Sequence, residues 1–206
     1  MTVIGLTGGI ASGKSTAASF LRQRGAHVID ADRLGHRAYE PDTEAFRAVV
    51  EAFGEDIVAA DGQIDRRALG GKVFGKPEAL KQLTDIVWPE IRRLAEIEIE
   101  ATLREDPARP VVLEAAVLLE AGWEDIGDEI WVVTVDRDIA LARAMARDGT
   151  DQAAVQARID SQLSNDERTS RADVVLDNSG SEAELLELLE AQWQRVSAAT
   201  SPREAS

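Results

Sequence analysis

The sequence predicts an α/β fold with a parallel sheet and a phosphate-binding loop. The loop is Gly8–Thr16, which matches the pattern G-x-x-x-x-G-K-[ST] at every fixed position. Its surroundings fit, since an apolar run at 3–6 indicates a short buried strand and 17–22 indicates a helix. Further along, the runs at 111–114 and 130–135 are apolar and rich in β-branched residues, as expected of strands buried on both faces.

Each residue type in the loop has a physical role. Glycines let the backbone fold around an anion so that successive N–H groups converge on phosphate oxygens, and the following helix adds the positive end of its dipole. We expect Lys14 to reach the β- and γ-phosphates and the Ser15 hydroxyl to bind Mg²⁺. The alternative is an ordinary glycine-rich turn between a strand and a helix, which the match at all four fixed positions disfavours.

Composition excludes several kinds of site and partner. The chain of 206 residues has no cysteine, and its two histidines are His27 and His36, which excludes disulfides, thiolate metal sites and multi-histidine zinc sites. A formal charge of −15 argues against nucleic acid or an anionic membrane as a partner. No apolar stretch approaches the length of a membrane span, and the N-terminus enters the first strand without a signal peptide, so we expect a cytoplasmic protein.

After the first helix the chain returns to the sheet and then leaves it. A second strand is predicted at 28–30, and the strand–helix–strand order predicts a right-handed parallel crossover. From about residue 34 to residue 109 there is helical periodicity but no convincing strand, which predicts a helical insertion. Its predicted helices are 45–53, ended by Gly54; 67–73; one from Pro77 that Pro89 breaks or kinks; and one that includes 91–103.

The sheet resumes after Pro110. Besides the two apolar runs already noted, 172–176 indicates the last strand. Helices are predicted at 138–147, ended by Gly149; from a Thr150 cap through 163; and at 185–196, after a capping box of Ser181 and Glu184. Residues 198–206 are expected to be a disordered tail.

Two carboxylates follow the second strand. The carboxyl ends of the strands in such a sheet face the ligand crevice, and the spacing of Asp30 and Asp32 directs both side chains the same way if the extended conformation continues. A carboxylate there could assist Mg²⁺ binding or accept a proton from an attacking hydroxyl. The alternative is that both residues cap the next helix, and the pattern favours function more for Asp32 than for Asp30.

Arginines are the cations that an acidic phosphate-binding enzyme needs near its site. Arg143 and Arg147 lie one helical turn apart and could clamp phosphates, although Asp138 and Asp148 could pair with them instead. The pair Arg66–Arg67 lies in the insertion and could meet acidic groups of a second substrate. Because nothing in the chain resembles N-K-x-D, the guanine-reading element of GTPases, ATP is the expected donor. The residues alone therefore predict an ATP-dependent kinase with an unidentified acceptor hydroxyl.

The sequence resembles the dephospho-CoA kinase family over nearly its whole length. The resemblance rests on the phosphate loop with the Gly5-Leu6-Thr7 that precedes it and on eight further segments. These are Val28–Asp32, Phe53-Gly54, Asp61–Arg66, Val73-Phe74, Leu118–Gly122, Arg147–Gly149, Ser161-Gln162 and Ala172–Asn178. Leu34–Tyr39, Ile86–Pro89 and Glu114–Trp123 are especially similar to the kinase domain of animal bifunctional CoA synthase, whose adenylyltransferase half is absent here.

This resemblance implies transfer of the γ-phosphoryl group of ATP to the ribose 3′-hydroxyl of dephospho-CoA, giving CoA and ADP. The implied catalytic residues are Asp32 as general base, Lys14, and Arg143 as a lid arginine. Ser15 and Asp32 are the implied ligands of Mg²⁺. Dephospho-CoA is the implied partner, and the chain would be a monomer or a small homo-oligomer. The implied ATP-binding residues are Gly8, Gly9, Ala11, Ser12, Gly13, Lys14, Ser15, Thr16, Arg147 and Asn178; the implied acceptor-binding residues are Thr7, Asp32, His36, Arg66 and Leu118.

The fold implied by the resemblance is a P-loop NTPase domain of the nucleoside- and nucleotide-kinase type, with a five-stranded parallel sheet. A single domain would span 1–197. Its parts would be a core of 1–33, 110–135 and 167–197, a helical CoA-binding insertion at 34–109, and a lid at 136–166.

Three positions depart from the pattern common in bacterial members. Trp88 stands where many have histidine, Val117 where many have proline, and Ala11 where many have a third glycine. The first two concern acceptor contacts, and the third is a small change in the loop. Two other functions remain open, namely a P-loop kinase for another small molecule, such as a nucleoside or a sugar, and a nucleotide-binding module without catalysis.

Overall fold

The computed structural model describes residues 2–200, and its centre is a five-stranded sheet in which every pairing is parallel. The strand order is β2-β3-β1-β4-β5, so the strand that enters the phosphate loop is in the middle. This confirms the predicted five-stranded parallel sheet. The strands are β1 (Val3–Gly8), β2 (His27–Asp30), β3 (Val111–Glu114), β4 (Glu129–Thr134) and β5 (Val174–Asp177).

Helices make up most of the remaining described chain. They are α1 (Lys14–Gln23), α2 (Ala31–Ala38), α3 (Glu44–Phe53), α4 (Arg66–Val73), α5 (Pro77–Glu105), α6 (Arg137–Asp148), α7 (Gln152–Asp160), α8 (Asn165–Thr169) and α9 (Glu182–Thr200), with short 3-10 helices at Glu55–Ile57 and Glu124–Ile126. Gly54 and Gly149 follow α3 and α6 with φ of 91° and 61°, as predicted for helix ends. The capping box also forms, because Glu184 accepts a hydrogen bond from the Ser181 N–H at 2.6 Å and donates its own N–H to the Ser181 hydroxyl at 3.3 Å.

Three helical predictions were wrong in detail. Pro89 does not end a helix, because α5 runs continuously for 29 residues, and Val87 and Ile91 on either side of the proline are buried. Burial of an apolar face stabilises a helix across one lost hydrogen bond. Asp151, not Thr150, caps α7, which ends at Asp160 rather than continuing to residue 163. The final helix extends through Thr200, so residues 198–200 are helical; residues 201–206 of the expected tail lie outside the described residues.

The chain divides into two compact units. One contains the sheet and comprises the chain up to Asp30 together with the chain from Ile99 onward; the other is Ala31–Glu98. The second unit is helical and corresponds to the predicted insertion, with its boundaries three residues earlier at the start and eleven residues earlier at the end than 34–109. The division falls within α5, which belongs to both units.

The core of the sheet unit fixes the two elements that flank the phosphate loop. Alternate residues of β1 and β4, such as Ile4, Leu6, Trp131 and Val133, are fully buried against α1 and α9. Ala17, Ala18 and Leu21 of α1 are buried in the same cluster, which also includes Leu185, Leu189 and Val196 of α9. Burial of each large apolar side chain stabilises the fold by about 1.5–3 kcal/mol, so β1 and α1 are held rigidly at both ends of the loop.

Glu129 links the start of β4 to α9 through a bidentate ion pair. Its carboxylate accepts hydrogen bonds from Arg195 Nη1 and Nη2, each at 2.6 Å, and from Trp131 Nε1 at 2.8 Å. The Arg195 guanidinium lowers the pKa of Glu129 below its ordinary value of 4.5. A carboxyl with a lowered folded-state pKa stabilises the fold above its unfolded pKa, and this contribution is lost as the pH falls through the folded pKa.

We therefore expect Arg195→Met to lower the free energy of unfolding at pH 7 by about 0.5–1 kcal/mol, a small value because Arg195 is half exposed. The difference from wild type should shrink as the pH falls below 4.5, where Glu129 takes up a proton. Thermal unfolding at several pH values measures this, and Glu129→Gln is the control, because in that background Arg195→Met should have little further effect. An equal loss of stability at pH 7 and pH 3 would contradict the ion-pair explanation.

Candidate active site

The phosphate loop joins the central strand to the N-terminus of α1. β1 ends at Gly8 and α1 begins at Lys14, and the turn between them is closed by a hydrogen bond from the Ser12 N–H to the Gly9 carbonyl at 3.2 Å. No side chain caps the N-terminus of α1. The first N–H groups of a helix have no partner within the helix, so this end presents donors and a positive dipole to an anion.

Two of the loop glycines are required by space. A Cβ on Gly8 would lie 2.5 Å from the Ser12 hydroxyl oxygen and 2.6 Å from the Val133 carbonyl oxygen, both too close for any side chain. Gly13 has φ of 97°, and a Cβ there would collide with the Asn178 amide nitrogen. Ala11 also takes a left-handed φ of 55°, which costs a residue with a Cβ about 1–2 kcal/mol. The surrounding contacts must therefore hold this turn in place.

Lys14 is held by Glu114, a residue that the sequence analysis did not select. Lys14 Nζ lies 2.8 Å from Glu114 Oε1, and the two side chains are 14% and 11% exposed. Glu114 is the last residue of β3, level with Leu6 of β1 and Asp30 of β2. The available signal was an acidic residue ending a strand that is otherwise wholly apolar. The Glu114 carboxylate therefore holds the Lys14 side chain in place through a charge-assisted hydrogen bond before any phosphate is bound.

Asn178 supports the loop from behind. Its Nδ2 donates to the Ser12 carbonyl oxygen at 2.7 Å, and the residue is 7% exposed. In a trans peptide the carbonyl and the following N–H point in opposite directions, so this bond turns the Gly13 N–H away from Asn178. Asn178 was predicted to bind ATP; in the structure its side chain holds the peptide that carries one of the N–H groups of the loop.

Arg143 and Arg147 have different partners. Arg143 of α6 donates to the backbone carbonyl oxygens of Asn178 at 3.0 Å and Gly180 at 3.4 Å. Arg147 instead pairs with Asp148 at 2.7 Å, which raises the pKa of the Arg147 guanidinium and lowers that of the Asp148 carboxyl. The predicted competition with acidic neighbours therefore occurs at Arg147. Arg143 lies against the loop after β5, where it is connected to the phosphate loop through Asn178.

A cavity of about 490 Å³ lies between the phosphate loop and the segment 136–166. Gly9, Ile10 and Ser12 line one side of it, and Gln162 lies on the other. The Gln162 side-chain oxygen accepts a hydrogen bond from the Ile10 N–H at 2.9 Å. Gln162 belongs to one of the segments that resemble the family, but no pattern in the sequence predicted which group it contacts.

Two residues expected to contact the acceptor are core residues. Thr7 and Leu118 are both 0% exposed. Leu118 packs beneath β1, where a Cβ on Gly5 would lie 2.9 Å from its Cδ1 atom, and Thr7 faces the Ala116 carbonyl oxygen at 3.5 Å. Neither side chain has exposed surface in this structure, and the contacts of Thr7 and Leu118 with the acceptor stay predictions.

Asp32, His36 and Arg66 belong to the helical unit, and all three are exposed. The chain does not stay extended from Asp30 to Asp32, because α2 begins at Ala31, so the condition for both carboxylates to point the same way is not met. Asp32 lies in the first turn of α2, where a negative charge is favoured by the helix dipole. Arg66 begins α4, whose N-terminus is capped by the Asp65 side chain.

Residues 2–200 contain no cluster of three or more histidine, aspartate or glutamate side chains arranged to hold a metal ion. Within the same residues the Ser15 hydroxyl has no hydrogen-bond partner and is exposed, so it is available as an oxygen ligand. None of the helices described is both long and apolar enough to cross a membrane.

The chain is similar in sequence to known proteins over nearly its whole length. The family model of dephospho-CoA kinase matches residues 2–184. A dephospho-CoA kinase of Geobacter sulfurreducens is 47% identical over 195 residues, which cover 95% of this chain and 98% of that protein. One from Symbiobacterium thermophilum is 44% identical, covering 94% of this chain and 81% of that protein.

The chain is also similar in structure to solved proteins. The Thermus thermophilus protein TT1252 aligns with a TM-score of 0.76 at 38% identity, covering 94% of this chain and 97% of that one. Dephospho-CoA kinase from Campylobacter jejuni aligns with a TM-score of 0.64 at 26% identity, covering 96% and 98%. A sugar kinase from Janibacter, 17% identical with a TM-score of 0.51, has a similar fold. On the family match and the curated relatives together, this chain belongs to the dephospho-CoA kinase family.

Proposed function

We propose that this protein is a dephospho-CoA kinase, which transfers the γ-phosphoryl group of ATP to the ribose 3′-hydroxyl of dephospho-CoA. The observation that carries the proposal is a phosphate loop with a preoriented Lys14, in a chain that matches this family over residues 2–184. The proposed reaction consumes ATP, and we place it in the cytoplasm.

The triphosphate would bind along the loop and the first turn of α1. The uncapped N–H groups at the N-terminus of α1 and the helix dipole favour an anion there. On binding, Lys14 would give up its contact with Glu114 and contact the β- and γ-phosphates instead. This exchange replaces one charge-assisted contact with another, so the lysine stays paired throughout. Gly8 and Gly13 let the loop keep this shape, because a Cβ at either position would collide with neighbouring protein atoms.

Hydroxyl and carboxylate oxygens are the ligands that Mg²⁺ prefers, and the site offers both, the hydroxyl of Ser15 in the loop and the carboxylate of Glu114 at the end of β3. We propose that these residues, with Asp32, hold the ion that accompanies ATP. When bound, Mg²⁺ would help to neutralise the negative charge that develops on the phosphates.

Asp32 is the proposed general base. It follows β2 by two residues and is exposed in the first turn of α2, so a substrate can reach it. In the transfer the bond between the γ-phosphorus and the β–γ bridging oxygen breaks, and a bond to the acceptor 3′-oxygen forms. The hydroxyl proton passes to Asp32 late in the step and then to solvent, because a carboxylate is too weak a base to remove a proton from an alcohol early.

The segment 136–166 is the proposed lid. Arg143 would stabilise charge on the phosphates, and to do so it must exchange the carbonyls of Asn178 and Gly180 for phosphate oxygens. Arg147 is the second proposed cation and would exchange Asp148 in the same way. We propose His36 and Arg66, both exposed on the helical unit, as contacts for the acidic groups of the acceptor.

The function is tested by ADP release from ATP and Mg²⁺ with dephospho-CoA, adenosine or AMP as the acceptor. We expect release only with dephospho-CoA, and CoA as the second product. Release with another acceptor would keep the site but reassign the substrate. Absence of release with all three, alongside measurable ATP binding, would favour a binding module.

We expect Asp32→Asn to lower kcat by roughly a hundredfold or more while changing the affinity for ATP little, because the amide can hold the hydroxyl but cannot take its proton. Initial rates and nucleotide titration measure the two effects. Asp85→Asn is the matched control, since Asp85 is an exposed aspartate of the same unit that pairs with Lys81 one helical turn away. Turnover of Asp32→Asn near the wild-type rate would exclude the base assignment.

Glu114→Gln should lower kcat by roughly tenfold or more and raise the Mg²⁺ concentration needed for half-maximal activity, because the substitution removes the charge that orients Lys14 and attracts the ion. Activity is measured across a magnesium titration. Glu124→Gln serves as the control, since Glu124 pairs with the half-exposed Arg171 on the surface. An unchanged magnesium dependence in Glu114→Gln would contradict the metal role.

A further inference from the structure

Gln162 connects the segment 136–166 directly to the phosphate loop. It lies between α7 and α8, and its Oε1 accepts the Ile10 N–H at 2.9 Å across 152 positions of sequence. Among the residues that the structure describes, this is the hydrogen bond that joins that segment to Gly8–Thr16. The contact is therefore the place where a movement of the segment reaches the loop.

The bond sets the direction of one peptide unit. Because the Gly9–Ile10 peptide is trans, directing its N–H at Gln162 directs the Gly9 carbonyl the opposite way. That carbonyl accepts the Ser12 N–H at 3.2 Å, which closes the turn of the loop. Gln162 thus fixes one end of the turn, and Asn178, which holds the Ser12 carbonyl at 2.7 Å, fixes the other.

The turn needs this support because Ala11 lies within it at a φ of 55°. A residue with a Cβ keeps a left-handed conformation only where its surroundings determine it. Gln162 uses an N–H at the start of the loop and leaves the N–H groups at the start of α1 available to an anion. The brace and the proposed phosphate contacts are therefore compatible, and both can be present during turnover.

We infer that Gln162 is a positioning residue for the proposed phosphoryl transfer. Its side-chain oxygen holds the phosphate loop in its anion-receptive shape and fixes residues 162–164 of the lid over the cavity beside Gly9 and Ile10. This keeps water from the transferring group, so that phosphate passes to the acceptor rather than to solvent. The inference rests on the proposed function.

Gln162→Ala removes the brace. We expect kcat for CoA formation to fall by roughly tenfold, because a loosened loop misplaces the phosphoryl group. KM for ATP should change by less than about threefold, since Lys14 and the α1 N-terminus remain. ATP hydrolysis without acceptor, expressed relative to transfer, should rise by roughly fivefold or more. A residue that serves only folding would not change this ratio.

Gln162→Glu keeps an oxygen that can accept the Ile10 N–H but adds a negative charge near the phosphates. We expect it to restore the ratio of hydrolysis to transfer to nearly the wild-type value and to raise KM for ATP. This opposite pattern separates the hydrogen bond from the charge. Gln156→Ala is the matched control, because Gln156 lies on α7 in the same segment and, among residues 2–200, its side chain bonds to Asp160 and not to the phosphate loop.

Amide hydrogen exchange over residues 8–16 gives a readout that does not depend on the acceptor. We expect Gln162→Ala to exchange roughly tenfold faster there than Gln156→Ala. If wild type forms no CoA, the proposed function fails, and the exchange rates still test the brace. If wild type forms CoA but Gln162→Ala matches Gln156→Ala in both ratio and exchange, the inference on Gln162 is overturned.

Discussion

The phosphate loop must hold one shape while leaving donors available for a ligand. Backbone N–H groups normally find partners, and a loop whose groups were all paired could not bind phosphate. The structure meets this constraint by pairing the groups around the anion site. The Asn178 side chain donates to the Ser12 carbonyl oxygen, and the Gln162 side chain accepts a hydrogen bond from the Ile10 N–H. The Glu114 carboxylate pairs with Lys14. The rest of the sheet unit positions these three side chains.

The braces come from distant parts of the chain. Glu114, Gln162 and Asn178 lie 100, 152 and 166 positions from their loop partners. Two of them stand at the carboxyl ends of strands, with Glu114 ending β3 and Asn178 following β5. Because parallel strands bring their carboxyl ends to one edge, residues far apart in sequence meet there. The central position of β1 in the sheet explains why the loop can be held from both sides.

Local signals predicted the elements well and the contacts poorly. Buried strands and glycine helix ends are written in short stretches of sequence, as at Val111–Glu114 and at Gly54. Pro89 was predicted to break or kink a helix, but tertiary packing keeps α5 continuous through it. Leu118 belongs to a motif of the family, and the structure buries it under β1. The resemblance identified Gln162 as part of a motif, but only the tertiary structure shows that its hydrogen-bond partner is the Ile10 N–H.

The sequence by itself determined the phosphate loop, the five parallel strands, a helical insertion and the family, because these depend on spacing and on local hydrophobic pattern. Only the tertiary structure decided that Glu114 orients Lys14, that Arg143 lies on the loop after β5 while Arg147 pairs with Asp148, and that two amide side chains brace the loop. Such pairings depend on which elements the fold brings together. Residue type and spacing do not specify a partner that lies a hundred or more positions away, such as Glu114 for Lys14 or Asn178 for Ser12.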